Sequence, residues 1–136
     1  MDSIPRSLEL VLLPQSFAIA RLAANTPIPD WATRGAFFSV SSTEDELSIV
    51  TESANLPTDV KSQAGWRILK VHGPFVLSKV GVLASLASPI AHANVSLFAI
   101  STFDTDYLLI NADQLDLASA ALERAGHKVL KQVATL

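Results

Sequence analysis

The strongest constraint on the fold is a segment that occurs twice in this chain of 136 residues, at a separation of 60 residues. Residues 38–50 read FSVSSTEDELSIV, and residues 98–110 read FAISTFDTDYLLI. The identical or conservative positions are Phe38/Phe98, Val40/Ile100, Ser41/Ser101, Ser42/Thr102, Glu44/Asp104, Glu46/Asp106, Ile49/Leu109 and Val50/Ile110. Repetition at a fixed spacing is typical of chains built from related structural units. The sequence therefore predicts two related modules.

A weaker match at the same spacing extends the repeat towards the N-terminus. Residues 8–14 (LELVLLP) align with residues 68–74 (ILKVHGP), with one Val and one Pro identical. No gap separates the two matches, so the whole first half follows the order of the second. We therefore predict modules at residues 1–62 and 63–136, joined in the stretch from Pro57 to Gly65.

The second module has a regular alternation of strands and helices. The elements predicted from its periodicity are strands at residues 66–71, 95–102, 107–111 and 127–133, and helices at residues 78–93 and 113–125. Ser78 is the expected N-cap of the first helix, and Pro89 should kink it or end its regular hydrogen bonding. Asp113 should cap the second helix and Gly126 should stop it. The predicted order is β-α-β-β-α-β.

The first module is predicted to keep the strands and to lose the helices. Alternating or apolar runs predict strands at residues 8–13, 17–22, 35–42 and 46–51. Where the two helices would stand, the chain has a stretch with Pro27, Pro29 and Trp31 and a short segment ending at Pro57. Proline in these places disfavours a regular helix, so this module is expected to be a degenerate copy.

Composition limits the classes of function. Hydrophobic residues make up 49% and charged residues 17%, which predicts a folded core. The net charge is −3 without a Lys/Arg cluster, so nucleic acid is not an expected partner. There is no cysteine, and His72, His92 and His127 lack metal-ligand spacing and are expected at the surface or at strand ends. We expect no metal and no cofactor.

Residues 80–103 contain no charged residue, which raises the question of a membrane span. The stretch holds several polar residues, and its periodicity changes from helical to alternating near Asn94, so a helix followed by a buried strand explains it better. The N-terminal apolar run is interrupted by Glu9 and has no basic region before it, unlike a signal peptide. A cytoplasmic protein without a membrane partner is expected.

The order of elements, together with the polar turn between two strands, resembles the ACT domain, and nearly the whole chain resembles small proteins with two ACT modules in tandem. The residues that show it most are segments 65–74 (GWRILKVHGP), 82–91 (VLASLASPIA), 98–110 and 37–50. Segment 101–106 is also similar, more distantly, to ACT modules of cytosolic arginine sensors and aspartate kinases. The resemblance implies an α+β fold of two ferredoxin-like modules, with antiparallel sheets and helices on one face.

The resemblance also implies a function, namely the binding of a free amino acid where two modules meet. In such proteins the ligand is held by the loop after the first strand, the start of the first helix and the turn between strands two and three. A regulatory protein acting in trans, through ligand-dependent assembly or partner binding, is expected. Unpaired sheet edges and apolar helix faces favour a homodimer.

A free amino acid needs hydrogen-bond acceptors for its ammonium group and donors for its carboxylate. The resemblance places Asp106 at the aspartate that ends the motif, where it binds the ammonium group; the alternative is that Asp106 caps the turn. Backbone N–H groups of Val80, Gly81 and Val82, in the first turn of the predicted helix, suit the carboxylate. Gly81 would allow close approach of the ligand or close packing of strand and helix.

The remaining candidates lie on the two turns. Thr102 offers a hydroxyl or backbone contact, and Phe103 offers an apolar wall unless it is a core residue. In the first module, the side chains of Ser41, Ser42 and Glu46 either complete a site between the modules or retain only turn chemistry. Asp104 is expected to be a solvated carboxylate.

Catalysis finds little support in the sequence. None of the serines stands in a G-x-S-x-G context, and the five glycines form no phosphate-binding loop. We therefore do not expect an enzyme. Two alternatives stay open, namely a protein–protein interaction module whose site has decayed and a small enzyme that uses Asp104 and Asp106 as an acid–base pair.

Overall fold

A computed structural model of the chain describes residues 7–72 and 81–131, which form eight strands and two α-helices. In chain order these are β1 (Glu9–Leu12), β2 (Phe17–Ala23), β3 (Ser39–Ser42), β4 (Glu46–Glu52), β5 (Ser62–Val71), α1 (Val82–His92), β6 (Phe98–Ser101), β7 (Asp106–Asn111), α2 (Leu115–Arg124) and β8 (Lys128–Lys131). The predicted mixed α+β class is confirmed.

Contacts divide the chain into two compact units, residues 15–66 and residues 1–14 with 67–136. The middle of β5 lies at the boundary, so its first residues belong to one unit and its last residues to the other. β1 belongs to the same unit as the C-terminal half of the chain. The division into modules 1–62 and 63–136 concerns the sequence repeat and stays a prediction.

The unit that contains the C-terminal half has the predicted order β5-α1-β6-β7-α2-β8, and its strands are arranged β6-β7-β5-β1-β8. The additional strand β1 lies between β5 and β8. It is antiparallel to β5, with Leu10 opposite Val71, and parallel to β8, with Leu10 opposite Val129. This is the ferredoxin-like arrangement predicted from the sequence, with one strand from the N-terminal segment inserted.

Both helices pack on the same face of these strands. The shared core contains every second residue of the strands, together with residues one helical turn apart in the helices: Leu8, Leu10, Leu12, Leu69, Val71, Val82, Leu86, Ile90, Val95, Leu108, Ile110, Ala118 and Leu122. Because a strand presents alternate residues to one face, Leu108 and Ile110 define the helix side of β7. Truncating a fully buried member such as Leu86 to Ala should cost about 2–5 kcal/mol.

The ends of the two helices differ in detail from the sequence prediction. Gly81 is the N-cap of α1, and the predicted cap Ser78 lies outside the described residues. Pro89 does not end α1, which continues to His92. α2 begins at Leu115 without a side-chain cap, so the prediction that Asp113 caps it was wrong: a 3-10 turn, Ala112–Gln114, precedes the helix.

The unit of residues 15–66 confirms the prediction of a module with few helices. Its strands are arranged β3-β4-β2-β5, and β2 pairs with β4 along its whole length. Two 3-10 helices, Asp30–Thr33 and Ser53–Asn55, occupy the two proline-containing stretches that replace the helices. Its core contains Ala32 and, on β4, Leu47 and Ile49.

Neither α-helix in the described part of the chain has the length and apolar composition required to cross a membrane.

Candidate functional site

Several elements of the C-terminal unit begin or end at one edge of its strands. Thr105 Oγ1, just before β7, donates to the Val71 carbonyl at the end of β5 at 2.7 Å, and His72 N–H donates to the Glu9 carbonyl at 2.7 Å. β8 begins beside the start of β1, because Lys128 N–H donates to the Leu8 carbonyl at 2.8 Å. We call this edge, with the turn 102–105 and the start of α1, the turn edge.

The turn between β6 and β7 is closed by threonine. Thr102 N–H donates to the Thr105 carbonyl at 2.8 Å, and the Thr102 hydroxyl both donates to that carbonyl at 3.1 Å and accepts the Thr105 N–H at 3.3 Å. A side-chain oxygen that bonds backbone groups further along the turn is a common turn device. The capping role considered for Asp106 is therefore filled by Thr102, and the Thr102 hydroxyl is engaged within the turn.

Asp106 lies directly opposite Ser101, and its carboxylate accepts a hydrogen bond from the Ser101 hydroxyl. The alternation along β7 places Asp106 on the same face as Leu108 and Ile110, which is the helix side. Its side chain is half-buried. Within residues 7–72 and 81–131, no cationic side chain is paired with it. The carboxylate therefore keeps acceptor capacity, since an ionised carboxylate has about four lone-pair sites.

The start of α1 offers hydrogen-bond donors at the same edge. Gly81 adopts φ 83°, a left-handed conformation that favours glycine, and it provides no side-chain cap. The first bond inside the helix runs from Ser85 N–H to the Gly81 carbonyl at 2.9 Å, so the N–H groups before it have no partner in the helix. The Val82 side chain is buried, which leaves its backbone N–H as the group to offer a carboxylate. Val80 lies outside the described residues.

Phe103 and Asp104 form the tip of the turn. Phe103 is 80% exposed, so it is not a core residue, and Asp104 is exposed as expected for a solvated carboxylate. The use of Phe103 as an apolar wall for a ligand stays a prediction.

The candidates of the first module lie on its equivalent turn, in the unit of residues 15–66. Ser41 and Ser42 are exposed on β3. Glu46 begins β4, and its backbone N–H and carbonyl bond Thr43, whose hydroxyl accepts the N–H at 3.1 Å. The described contacts of Glu46 thus concern the turn, and a ligand role for its side chain stays a prediction.

The two turns align one residue away from the sequence match. Thr43 N–H donates to the Glu46 carbonyl as Thr102 N–H donates to the Thr105 carbonyl, a separation of 59 residues. Ser42 lies opposite Leu47, whereas Ser101 lies opposite Asp106. The structural counterpart of Asp106 is therefore Leu47. The 60-residue alignment, which paired Asp106 with Glu46, was wrong by one residue at the turn, a slip that moves each side chain to the other face.

No group of three or more His, Cys, Asp or Glu side chains in the described ranges is arranged to hold a metal ion.

Three residues of the turn edge were missed from the sequence. Ser101 could have been found by assuming a four-residue turn, which places it opposite Asp106. Thr105 is 7% exposed and joins the turn to β5, and no local signal distinguishes it from a solvated turn residue. His127 was expected at the surface or at a strand end; it precedes β8 and is 5% exposed.

Comparison with protein families gives two matches that together span most of the chain. Residues 61–124 match the model of the ACT domain. Residues 15–59 match a second model, described as an N-terminal domain.

Individual proteins show the same relationship. The human cytosolic arginine sensor for mTORC1 subunit 1 is 32% identical over 110 residues, which cover 75% of this chain and 32% of the sensor. The chain therefore spans about a third of the length of the curated relatives it matches. A solved protein of Agrobacterium tumefaciens has a TM-score of 0.90 at 39% identity, with 97% of this chain and 98% of that chain covered.

A third relative shares the fold at low identity. The regulatory subunit of aspartate kinase from Thermus flavus has a TM-score of 0.60 at 11% identity and covers 85% of this chain and 95% of its own.

Proposed function

Because the chain belongs to the ACT domain family, we propose that it is a regulatory protein that binds a free amino acid at the turn edge. The observation that carries the proposal is Asp106, a half-buried carboxylate that holds a single hydroxyl and has no cationic partner in the described part of the chain. A carboxylate in this environment gains most from a ligand that brings a positive charge.

The chemistry of the turn edge is complementary to the two charged groups of an amino acid. Asp106 accepts hydrogen bonds from the ammonium group, and Ser101 fixes the orientation of its carboxylate. The unpaired N–H groups after Gly81, where the helix dipole favours negative charge, donate to the ligand carboxylate. The turn 102–105 is held in place independently of the ligand, through its bonds to Val71 and within itself.

The names of the relatives agree with a regulatory role. One is a cytosolic arginine sensor, and another is the regulatory subunit of aspartate kinase. By analogy we propose that this chain acts in trans on a protein partner in the cytoplasm, and that the amino acid changes its assembly or its affinity for that partner. The assembly we propose is a homodimer, in which the unpaired β6 edge is covered.

The first test is a thermal-shift screen against each of the twenty free amino acids. A specific ligand at 100 times its dissociation constant should stabilise the protein by about 2.7 kcal/mol. The effect should saturate with concentration, and size-exclusion chromatography with the same amino acid should reveal any change of assembly. The absence of a saturable shift with all twenty would refute amino-acid sensing.

A pair of matched variants locates the site. Asp106→Asn removes the charge that the ammonium group requires and should lower the affinity at least tenfold, whereas the exposed Asp104→Asn should leave it unchanged. Equal effects of the two substitutions would place the amino acid elsewhere.

A second candidate function is a protein–protein interaction module without a ligand. It is favoured by the apolar side chains at the β6 end of the unit, where Phe103 is 80% exposed and Phe98 is 36% exposed. β6 pairs only with β7 among the described strands, and its residues carry no charge, so nothing of the kind that usually protects a sheet edge is present there. This function predicts assembly that is the same with and without every amino acid.

A further inference from the structure

Pro89 removes a hydrogen bond from the start of α1. In a regular helix the carbonyl of one residue accepts the N–H four residues later, and the residue four after Ser85 is Pro89, which has no N–H. The Ser85 carbonyl is therefore left without its usual donor. Ser85 belongs to the first turn of α1, since its own N–H donates to the Gly81 carbonyl.

The imidazole ring of His127 occupies the place of the missing donor. Its Nε2 lies 3.1 Å from the Ser85 carbonyl oxygen, and its Nδ1 accepts the Leu8 N–H at 3.0 Å. The Leu8 N–H can only donate and the Ser85 carbonyl can only accept, so one neutral tautomer, with the proton on Nε2, satisfies both. His127 is 5% exposed, and therefore water does not readily replace either bond.

These two bonds join three elements at the turn edge. Leu8 precedes β1, His127 precedes β8, and Ser85 lies in the helical turn whose N–H groups face the edge. We propose that His127 is a positioning residue: its ring supplies the hydrogen bond that Pro89 removes and thereby fixes the first turn of α1 relative to β1 and β8. The consequence for ligand affinity rests on the proposed function, whereas the positioning itself does not.

The tautomer provides a direct test on the unmodified protein. Nitrogen-15 NMR of the His127 ring should show a neutral imidazole with the proton on Nε2 and a bare Nδ1. A proton on Nδ1 at neutral pH would overturn the proposal, because Leu8 N–H would then have no acceptor in the ring.

A double-mutant cycle tests the link between the two residues. His127→Leu should speed amide exchange at Ser85 and Leu86 by about tenfold or more, because a buried carbonyl loses its donor. Pro89→Ala restores the N–H that donates to the Ser85 carbonyl. In the Pro89→Ala background, His127→Leu should therefore change these two rates by less than about threefold. Equal effects in both backgrounds would contradict the proposal.

Controls separate local positioning from general loss of stability. His92→Leu removes an exposed ring from the same helix, bonded at 2.8 Å to the Ser88 carbonyl, and should leave exchange at Ser85 unchanged. Amides of β4, in the other unit, report global unfolding. If His127→Leu does not fold, His127→Gln, which keeps one donor and one acceptor, should slow exchange at Ser85 relative to His127→Ala; the reverse order would count against positioning.

The ligand arm uses an equimolar mixture of the twenty free amino acids as the probe. His127→Leu should raise the concentration for half-maximal thermal shift by about tenfold, and adding Pro89→Ala should recover part of that loss. Rescue of exchange with no shift in the wild-type protein would sustain the positioning role and refute the proposed function. A shift that His127→Leu leaves unchanged would refute the role of His127 at the site.

Discussion

The turns 43–46 and 102–105 share a backbone design and differ in the residue that follows. In each, a threonine closes the turn with its N–H and binds a backbone N–H with its hydroxyl. After the first turn comes Leu47, which is 2% exposed and part of the core of its unit, and after the second comes the half-buried Asp106. The repeat therefore preserves the scaffold, and only the second copy carries a carboxylate on this side of the sheet.

This difference separates what the turn needs from what a ligand needs. A turn that only connects two strands is complete with its threonine, as the first copy shows. Asp106 makes no backbone bond in the turn, so closing the turn does not account for it. A carboxylate on the side that is apolar in the other copy indicates a requirement other than folding.

Exchanging the two residues should produce the largest effect. Leu47→Asp buries an unpaired carboxylate and removes a core side chain, which should lower the free energy of unfolding by about 4 kcal/mol. Asp106→Leu, which adds apolar surface to a half-buried position, should change it by less than about 1 kcal/mol. Urea denaturation of both variants measures the asymmetry. Equal costs would mean that the two positions are not counterparts.

Thr105 and its counterpart Glu46 should differ next. The Thr105 hydroxyl is buried and donates to the Val71 carbonyl, so Thr105→Val should cost about 1–3 kcal/mol. Glu46→Gln should stay within about 0.5 kcal/mol, because its described bonds are made by the backbone. The same denaturation experiment compares them, and a larger effect at Glu46 would show that its carboxylate has a structural role.

The closing threonines should give similar and smaller losses. Thr43→Val and Thr102→Val each remove a hydroxyl that bonds the turn backbone, at a cost of about 1 kcal/mol. Thr43 should be the more sensitive, because its hydroxyl accepts two N–H groups, those of Asp45 and Glu46, both at 3.1 Å. A loss at one turn alone would contradict the shared design.

The two serines opposite the strand starts should differ least in stability and most in ligand response. Ser101→Ala and Ser42→Ala are both exposed substitutions and should each change the free energy of unfolding by less than about 0.5 kcal/mol. Ser101→Ala should raise the dissociation constant of an amino acid that stabilises the wild-type protein by about three- to tenfold, through the loss of a hydrogen bond to Asp106. Calorimetric titration should show no change with Ser42→Ala.

Most of the fold could be predicted because local periodicity determines it. The second module has strands of period two and helices of period 3.6, and the prolines of the first module exclude helices in the expected places. The register of the repeat could not be predicted in the same way. Shifts of 59 and 60 residues both bring hydroxyl or acidic residues together, and the difference is visible only in which residues Thr43 and Thr102 bond across the turn.

The parts of the site that depend on distant contacts could not be predicted. Asp106 and Gly81 stand out in the sequence as a charge and a glycine in unusual places. The role of His127 depends on Pro89 and Leu8, which are far from it in sequence and close to it only after folding. The position of β1 next to β8 is equally non-local, since the apolar pattern of residues 9–12 does not identify the partner strand.

The insertion of β1 between β5 and β8 has a consequence for how the chain folds during synthesis. β1 emerges from the ribosome long before β8, since Leu8 and His127 are 119 residues apart, which corresponds to roughly 6–24 seconds at 5–20 residues per second. Over that interval one edge of β1 has no native neighbour and can pair with another nascent chain. Glu9, exposed on this strand and in register with Lys128, places a charge at that edge until β8 arrives.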